Sequence, residues 1–307
     1  MRFQRTRAAV ERGRFRAEKG YERLQSARPQ VPALDVAFDA YEHDRDAAGG
    51  ILAGALAYRF FITLLPLMLV LVGGLGYLDA ADDEAPGDFA GEFGISEAAA
   101  SSVADSARVT SSGRLAAVIV GTVALVWAAF WAVRAVRLTH AIAWRLPERR
   151  WARNTGAALL YIGVVLAMAA VAIGDAWLRE QLDTAGLLIT IASTGIYFAI
   201  WLLVSWRLPR AEVGWSGLVP GALLVAVGIQ VLHLATALYI APRLDSATAT
   251  YGALGVALVL LLWLYLLGRL VVASATLNAT LWMRSARGSE QTVRPTGPRL
   301  RTPPDAR

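Results

Sequence analysis

The 307-residue sequence is too apolar for an ordinary water-soluble fold. Hydrophobic residues make up 56% of it and the 27 glycines add about 9% more, whereas the two together reach about 45–50% in soluble domains. Only 18% of the residues are charged, and the formal net charge is +6. The absence of cysteine excludes disulfides, thiolate metal sites and a cysteine nucleophile. These numbers predict a polytopic membrane protein.

Residues 1–48 are predicted to form a basic cytoplasmic arm that ends in an interfacial helix. Ten of them are Lys or Arg, and no apolar run of signal-peptide length interrupts them, so no cleaved leader is expected. The stretch VPALDVAFDAYEHDRDA places apolar and charged residues at helical spacing, which is typical of a helix at a membrane surface. Because no aromatic platform accompanies the arginines, we expect this arm to contact lipid headgroups rather than nucleic acid.

Six stretches are long and apolar enough to cross about 30 Å of hydrocarbon as helices. They are residues 50–77, 115–136, 155–177, 187–206, 218–239 and 252–279. None shows the alternation of barrel strands, and helices satisfy their backbone hydrogen bonds within one segment. The predicted fold class is therefore all-α, with six transmembrane helices within residues 49–284.

The distribution of positive charge predicts the orientation. Segments 1–48, 137–154, 207–217 and 280–307 carry 23 Lys or Arg residues, against four in the alternate segments 78–114, 178–186 and 240–251. By the positive-inside rule both termini are expected in the cytoplasm, so the acidic segment of about 78–114 is an external loop. Residues 285–307, with prolines and scattered arginines, are expected to be a disordered tail. The predicted location is a bacterial inner or plasma membrane.

Two arginines inside the spans are the strongest candidates for ligand binding. Arg59 and Arg269 each lie nine or ten residues into a predicted span, or about 15 Å deep at helical rise. Facing the bundle interior at a common level, they would form a positive pocket for a phosphate or carboxylate. The alternative is structural, with each guanidinium reaching the interface or bonding to helix carbonyls.

A second candidate group is polar rather than cationic. Asp175 lies near the outer end of the third span, and Gln230 and His233 share one face of the fifth. A buried imidazole beside a carboxylate is a component of proton pathways. The alternative interpretation is a histidine whose hydrogen bonds are satisfied by a neighbouring helix.

Motifs of soluble enzymes are missing from the sequence. There is no phosphate-binding loop, no HExxH and no GxSxG, and the three histidines lie in different regions. Metal-dependent phosphodiester cleavage requires clustered His and carboxylate ligands, which the cytoplasmic segments do not offer. We therefore expect no enzyme activity, no metal and no cofactor.

Three motifs, in order and spacing, resemble those of the YihY/virulence factor BrkB family of integral membrane proteins. GALAYRFFITLLPLMLVLVGGLG is similar to its first span, and WRLPRAEVGWSGLVPGALLVAVGIQVLHLATALYI is similar to its fourth-to-fifth-span region. YGALGVALVLLLWLYLLGRLVVASATLNA is similar to its last span. The residues that carry the resemblance are Tyr58, Pro66, Pro220, Gly221, Tyr251, Gly252, Trp263, Tyr265 and Asn278. Thr276 stands where the family commonly has a Glu, and Arg59 where it commonly has an aromatic or apolar residue.

The resemblance implies a six-span inner-membrane protein without a defined activity, in a family that once carried a ribonuclease BN label. Three hypotheses follow. The first is a non-enzymatic candidate transporter or binder of an anionic amphiphile or small solute. The second is an envelope-assembly or scaffold protein, and the third is a membrane-associated ribonuclease. Membrane lipids, an anionic ligand and a homo-oligomer are the partners considered, and no nucleic acid is expected.

Overall fold

The computed structural model describes residue 28 and residues 31–78, 111–147, 156–181, 186–236 and 253–293. Every regular element in these ranges is helical. The long helices are α1 (Pro32–Asp46), α2 (Gly49–Leu78), α3 (Ser111–Ala143), α4 (Gly156–Gln181), α5 (Gly186–Arg207), α6 (Val219–Ala235) and α7 (Ala253–Val293). A single turn of 3-10 helix, Trp215–Leu218, leads into α6.

Six of these helices, α2 to α7, are long and apolar enough to cross a membrane, which confirms the predicted six-span, all-helical architecture. Two helix ends differ from the prediction by seven residues or more. Helix α3 continues to Ala143, seven residues beyond its expected end, and α7 continues to Val293 into the tail that was expected to be disordered. Residues 79–110, which include most of the predicted external loop, and residues 294–307 lie outside the described residues.

Helix α1 corresponds to the predicted interfacial helix and packs against α7 and α2. It begins with a proline at its first position and has Asp35 in its first turn, both favourable at a helix N-terminus. Arg284, near the end of α7, pairs with Asp35 at 2.6 Å and with Asp39. These ion pairs account for the extension of α7 and place the N- and C-terminal parts on one side of the bundle.

We call this end of the bundle the α1 face. It contains the first turn of α2, the last turns of α3 and α5, the 3-10 helix and the C-terminal half of α7. That this face lies in the cytoplasm remains a prediction from the charge distribution.

Helix α7 is the centre of the packing, because it contacts α1, α2, α3 and α6. At Gly268 a Cβ atom would lie 2.6 Å from the carbonyl oxygen of Ala53, so the backbones of α7 and α2 touch there. The buried apolar core lies where α2, α3, α5, α6 and α7 meet. It consists of Ala53, Leu56, Val136, Tyr197, Trp201, Ala222, Val225, Ala226, Ile229, Val271 and Val272.

Candidate functional site

The predicted pocket residue Arg269 forms an ion pair with α1. Its two terminal nitrogens donate to the two carboxylate oxygens of Asp44, at 3.2 Å and 3.0 Å. The Asp44 side chain is 12% exposed and also lies against Gly49, where a Cβ atom would collide with the carboxylate. The bidentate contact satisfies the positive charge of Arg269 within the protein, so this arginine joins α7 to the α1–α2 junction.

His43 makes a second connection beside that ion pair. Its Nε2 atom lies 2.9 Å from the carbonyl oxygen of Ala143 at the end of α3, and its Nδ1 atom lies 3.3 Å from the hydroxyl of Thr280 on α7. His43 is buried. Burial lowers the pKa of the imidazole below its usual 6.5, against the raising effect of the bond to Ala143. A neutral ring fits the contact to Ala143, with Nε2–H donating to the carbonyl, while the Thr280 hydroxyl donates to the Thr276 carbonyl at 2.8 Å.

Arg59 lies against aromatic rings between α2 and α3. Its guanidinium carbon is 5.4 Å from the ring centroid of Trp131 and 5.8 Å from that of Tyr58. A second intramembrane arginine, Arg134, lies 5.3 Å from the same Trp131 ring. These distances are within the range of cation–π attraction. Arg59, Trp131 and Arg134 together form what we call the arginine–tryptophan site.

The two arginines of this site lie at similar depth. Arg59 is ten residues from the start of α2 and Arg134 nine residues from the end of α3, which is about 14–15 Å at 1.5 Å per residue. Both helix ends lie at the α1 face. The antiparallel packing of α2 and α3 agrees with this similar depth, because a Cβ atom at Gly121 of α3 would lie 3.0 Å from the Val70 side chain of α2.

Arg269 lies at a different level. Its neighbour Gly268 packs on Ala53, six residues before Arg59 and therefore about 9 Å nearer the α1 face along α2. The structure thus brings Arg59 together with Arg134, and Arg269 together with Asp44.

The predicted polar group near the opposite end of the bundle contains a chain of hydrogen bonds. Asp175 accepts from Arg179 at 3.1 Å, and Arg179 donates to the Thr190 hydroxyl at 2.8 Å. Gln230 donates to Ser193, one turn along α5, at 2.9 Å. His233 packs against the ring of Tyr197 on α5, with the two ring centroids 6.0 Å apart. The chain joins α4, α5 and α6. Asp175 Oδ1 is buried without a hydrogen-bond partner among the described atoms.

The motif residues of the last two spans meet at the start of α6. Asn278 of α7 accepts a hydrogen bond from the Gly221 backbone N–H at 2.8 Å and donates to the Leu218 carbonyl at 3.3 Å. A Cβ atom at Gly221 would lie 2.6 Å from the Ser274 carbonyl oxygen. Pro220 provides the fixed dihedral angle of the first turn. Asn278 is therefore a cap for α6 supplied by another helix.

The other motif residues lie apart from this junction. Trp263 donates to the Thr236 hydroxyl at 3.1 Å, and the Tyr265 hydroxyl lies 3.8 Å from the position of a Cβ atom at Gly50. Tyr58 is 56% exposed beside Arg59, and Pro66 is inside α2. Thr276 is buried and bonds to carbonyls of its own helix. Tyr251 and Gly252 lie outside the described residues.

Sequence reasoning missed Asp44, Trp131 and Arg134. Arg134 is intramembrane and charged, so its position in a span is the signal that could have marked it. Arg134 and Arg59 contact the same Trp131 ring because of how α2 and α3 align, and no sequence pattern indicates that alignment. No group of three His, Asp or Glu side chains suited to a metal ion occurs among the described residues.

Comparison with known proteins gives a family and two kinds of relative. The sequence model of the family described as Virulence factor BrkB matches residues 40–296. The UPF0761 membrane protein Smlt0865 of Stenotrophomonas maltophilia (strain K279a) is 26% identical over 254 residues, which cover 75% of this chain and 56% of that protein. Bacillus subtilis (strain 168) has a relative named as a ribonuclease-like protein, YfkH, 23% identical over 252 residues, covering 75% of this chain and 88% of that one.

A UPF0761 membrane protein of Stenotrophomonas maltophilia (strain R551-3) is also 26% identical, over 248 residues. This chain spans about half the length of the two Stenotrophomonas relatives. No solved structure matches it.

Proposed function

Since this chain belongs to the virulence factor BrkB family and is a multi-pass bacterial membrane protein, we propose that it is a non-enzymatic protein that binds an anionic amphiphile at the arginine–tryptophan site and moves its headgroup through the membrane. One observation carries the proposal. Arg59 and Arg134 both contact the Trp131 ring at similar depth, and among the described residues neither forms an ion pair.

The energetics favour an external anion. An arginine at the centre of a transmembrane helix costs about 2.5–3.5 kcal/mol on insertion scales, and a cation–π contact returns about 0.5–2 kcal/mol. The distances to the shared ring place the two guanidinium carbons no more than about 11 Å apart. A phosphate or carboxylate between them would accept charge-assisted hydrogen bonds from both.

Exposure indicates the route by which the ligand arrives. Arg134 is exposed, Tyr58 is 56% exposed and Trp127, one turn from Trp131, is 60% exposed. On a membrane-spanning surface these side chains face lipid rather than water. The ligand is therefore an amphiphile that enters sideways from the bilayer, and a small water-soluble solute fits this surface less well.

The test uses the full chain reconstituted in liposomes that contain a fluorescent phosphatidylglycerol. We expect the wild type to accelerate exchange of the labelled lipid between leaflets, measured by dithionite quenching. The Arg59→Gln, Arg134→Gln double variant should reduce the rate about tenfold, because one charge-assisted hydrogen bond corresponds to about 1.5–3 kcal/mol. A thermal shift with short-chain phosphatidylglycerol measures binding separately, since a ligand of the folded state raises the unfolding midpoint.

Arg137→Gln is the matched control, because it removes one arginine from α3 a single turn nearer the α1 face. It should behave as the wild type. Equal exchange and equal thermal shift in wild type and double variant would overturn the proposal and leave the scaffold hypothesis in its place. A double variant that fails to insert would instead assign Arg59 and Arg134 a structural role.

A further inference from the structure

A cavity of about 350 Å³ opens on the α1 face in the segment between α5 and the 3-10 helix. Its lining consists of Leu146, Leu208, Pro209, Arg210, Ala211, Glu212 and Val213. It is separate from the arginine–tryptophan site, which lies between α2 and α3. Its volume is at the lower end of the range of about 300–1,000 Å³ that ligand pockets span, and it opens to the surface of the protein.

Arg210 stacks on an aromatic ring at this cavity. Its guanidinium carbon lies 3.9 Å above the Trp206 ring, and its Nη1 donates to the Trp206 carbonyl. The Trp206 ring in turn stacks on Trp215, with centroids 4.2 Å apart and an interplanar angle of 12°. The Nε of Arg210 is buried and has no hydrogen-bond partner among the described atoms. Because the Trp206 ring covers one face of the guanidinium, a ligand in the cavity would reach Arg210 through its terminal nitrogens rather than through Nε.

Glu212 lines the same cavity two residues further along the chain. Within the part of the chain that the structure describes, neither Arg210 nor Glu212 takes part in an ion pair. Among the described residues, the lining therefore contains one cation and one anion that do not pair with each other. A ligand complementary to it carries a negative and a positive group a short distance apart.

The cavity lies at the level of a membrane surface. The flanking candidate spans end at Arg207 and begin again at Trp215, and tryptophan concentrates where lipid headgroups meet water. Two lining residues, Leu146 and Val213, pack against the apolar cluster that contains Trp144 and Trp282, whose ring centroids are 6.0 Å apart. The cavity therefore adjoins a packed apolar cluster.

We propose that this cavity binds the headgroup of an aminophospholipid, with the phosphate at Arg210 and the primary ammonium at Glu212. The inference goes beyond the anionic amphiphile of the proposed function and concerns a different site. A phosphatidylglycerol headgroup satisfies Arg210 but brings no cation to Glu212. A trimethylammonium headgroup brings a cation that cannot donate a hydrogen bond. The cavity should therefore prefer phosphatidylethanolamine to both.

The test is native mass spectrometry of the full-length chain titrated with phosphatidylethanolamine, phosphatidylglycerol or phosphatidylcholine. In the wild type we expect phosphatidylethanolamine to bind about tenfold more tightly than the other two. Arg210→Leu should lose this high-affinity binding. Glu212→Gln should bind phosphatidylethanolamine and phosphatidylglycerol equally, because only the ammonium contact is removed.

Arg207→Gln is the control, because Arg207 is exposed at the end of α5 and is not part of the cavity lining. Should Arg210→Leu fail to fold, Arg210→Lys keeps the charge and is expected to weaken binding through loss of the planar guanidinium. A lipid preference unchanged in Glu212→Gln would overturn the proposal. The proposal would also be overturned if inorganic phosphate or soluble glycerophosphoethanolamine, at the same concentration as the lipid, displaced phosphatidylethanolamine. That result would show that the cavity binds a free solute rather than a lipid.

Discussion

The capping of α6 by Asn278 leads to the sharpest stability prediction. Replacing Asn278 by Ala removes the bond to the Gly221 N–H and the bond to the Leu218 carbonyl. Asn278 is 2% exposed, so the Gly221 N–H, which has no carbonyl partner within the first turn of α6, loses its acceptor away from solvent. Interhelical side-chain hydrogen bonds in membranes contribute about 0.6–1.7 kcal/mol each. For two bonds we therefore expect a loss of about 2 kcal/mol in the free energy of unfolding.

The assay is unfolding of the purified chain in mixed micelles, followed by the fluorescence of its ten tryptophans as the fraction of dodecyl sulfate rises. Ser205→Ala is the control, since its hydroxyl is buried without a partner among the described atoms. Removing a buried hydroxyl that makes no hydrogen bond breaks no bond and should not lower the free energy of unfolding. An equally small change in Asn278→Ala would refute the assignment of Asn278 as a cap.

Two further stability changes follow from the same packing. Gly268→Ala should lower the free energy of unfolding by about 1–3 kcal/mol, because its Cβ would lie 2.6 Å from the Ala53 carbonyl oxygen. The control is Gly163→Ala, which has open space around it and should leave that free energy unchanged. Unfolding in mixed micelles measures both variants. Burial lowers the pKa of His43 below 6.5, so the unfolded chain binds that proton at higher pH and the unfolding midpoint should fall as the pH drops below about 6.5. His43→Gln should reduce this dependence, and an unchanged pH profile would contradict it.

The spans were predictable because a helix that crosses the hydrocarbon core needs about 20 consecutive apolar residues, which are visible in the sequence. Six apolar stretches separated by charge or proline leave few alternatives for helices that satisfy their own backbone. The ends were less predictable. Helix α7 continues past Ala279, where Arg284 forms ion pairs with Asp35 and Asp39 of α1. The residues around Arg284 give no indication of partners that are about 245 residues away in the sequence.

The candidate sites were predictable by residue type and unpredictable by partner. Arg59 and Arg269 stand out from their apolar surroundings, yet Asp44 is 225 residues from Arg269 and Trp131 belongs to another span from Arg59. Asp175 and Gln230 were grouped with His233 by residue type and depth, and the hydrogen bonds through Arg179, Thr190 and Ser193 that lie between Asp175 and Gln230 have no sequence signal. Arg210 lies in a short connection, and its cavity is lined by two segments that are far apart in the sequence, Leu146 and residues 208–213.

The two groups of intramembrane arginines therefore require different experiments. Substitution of Arg269 leaves the Asp44 carboxylate, 12% exposed, without its partner, and loss of one member of such a pair destabilises the fold by itself. An inactive Arg269 variant would thus report on folding rather than on a ligand. Arg59 and Arg134 contact a neutral ring, so their removal leaves no charge unpaired. Loss of lipid binding in that variant, with the unfolding midpoint unchanged, reports on a ligand.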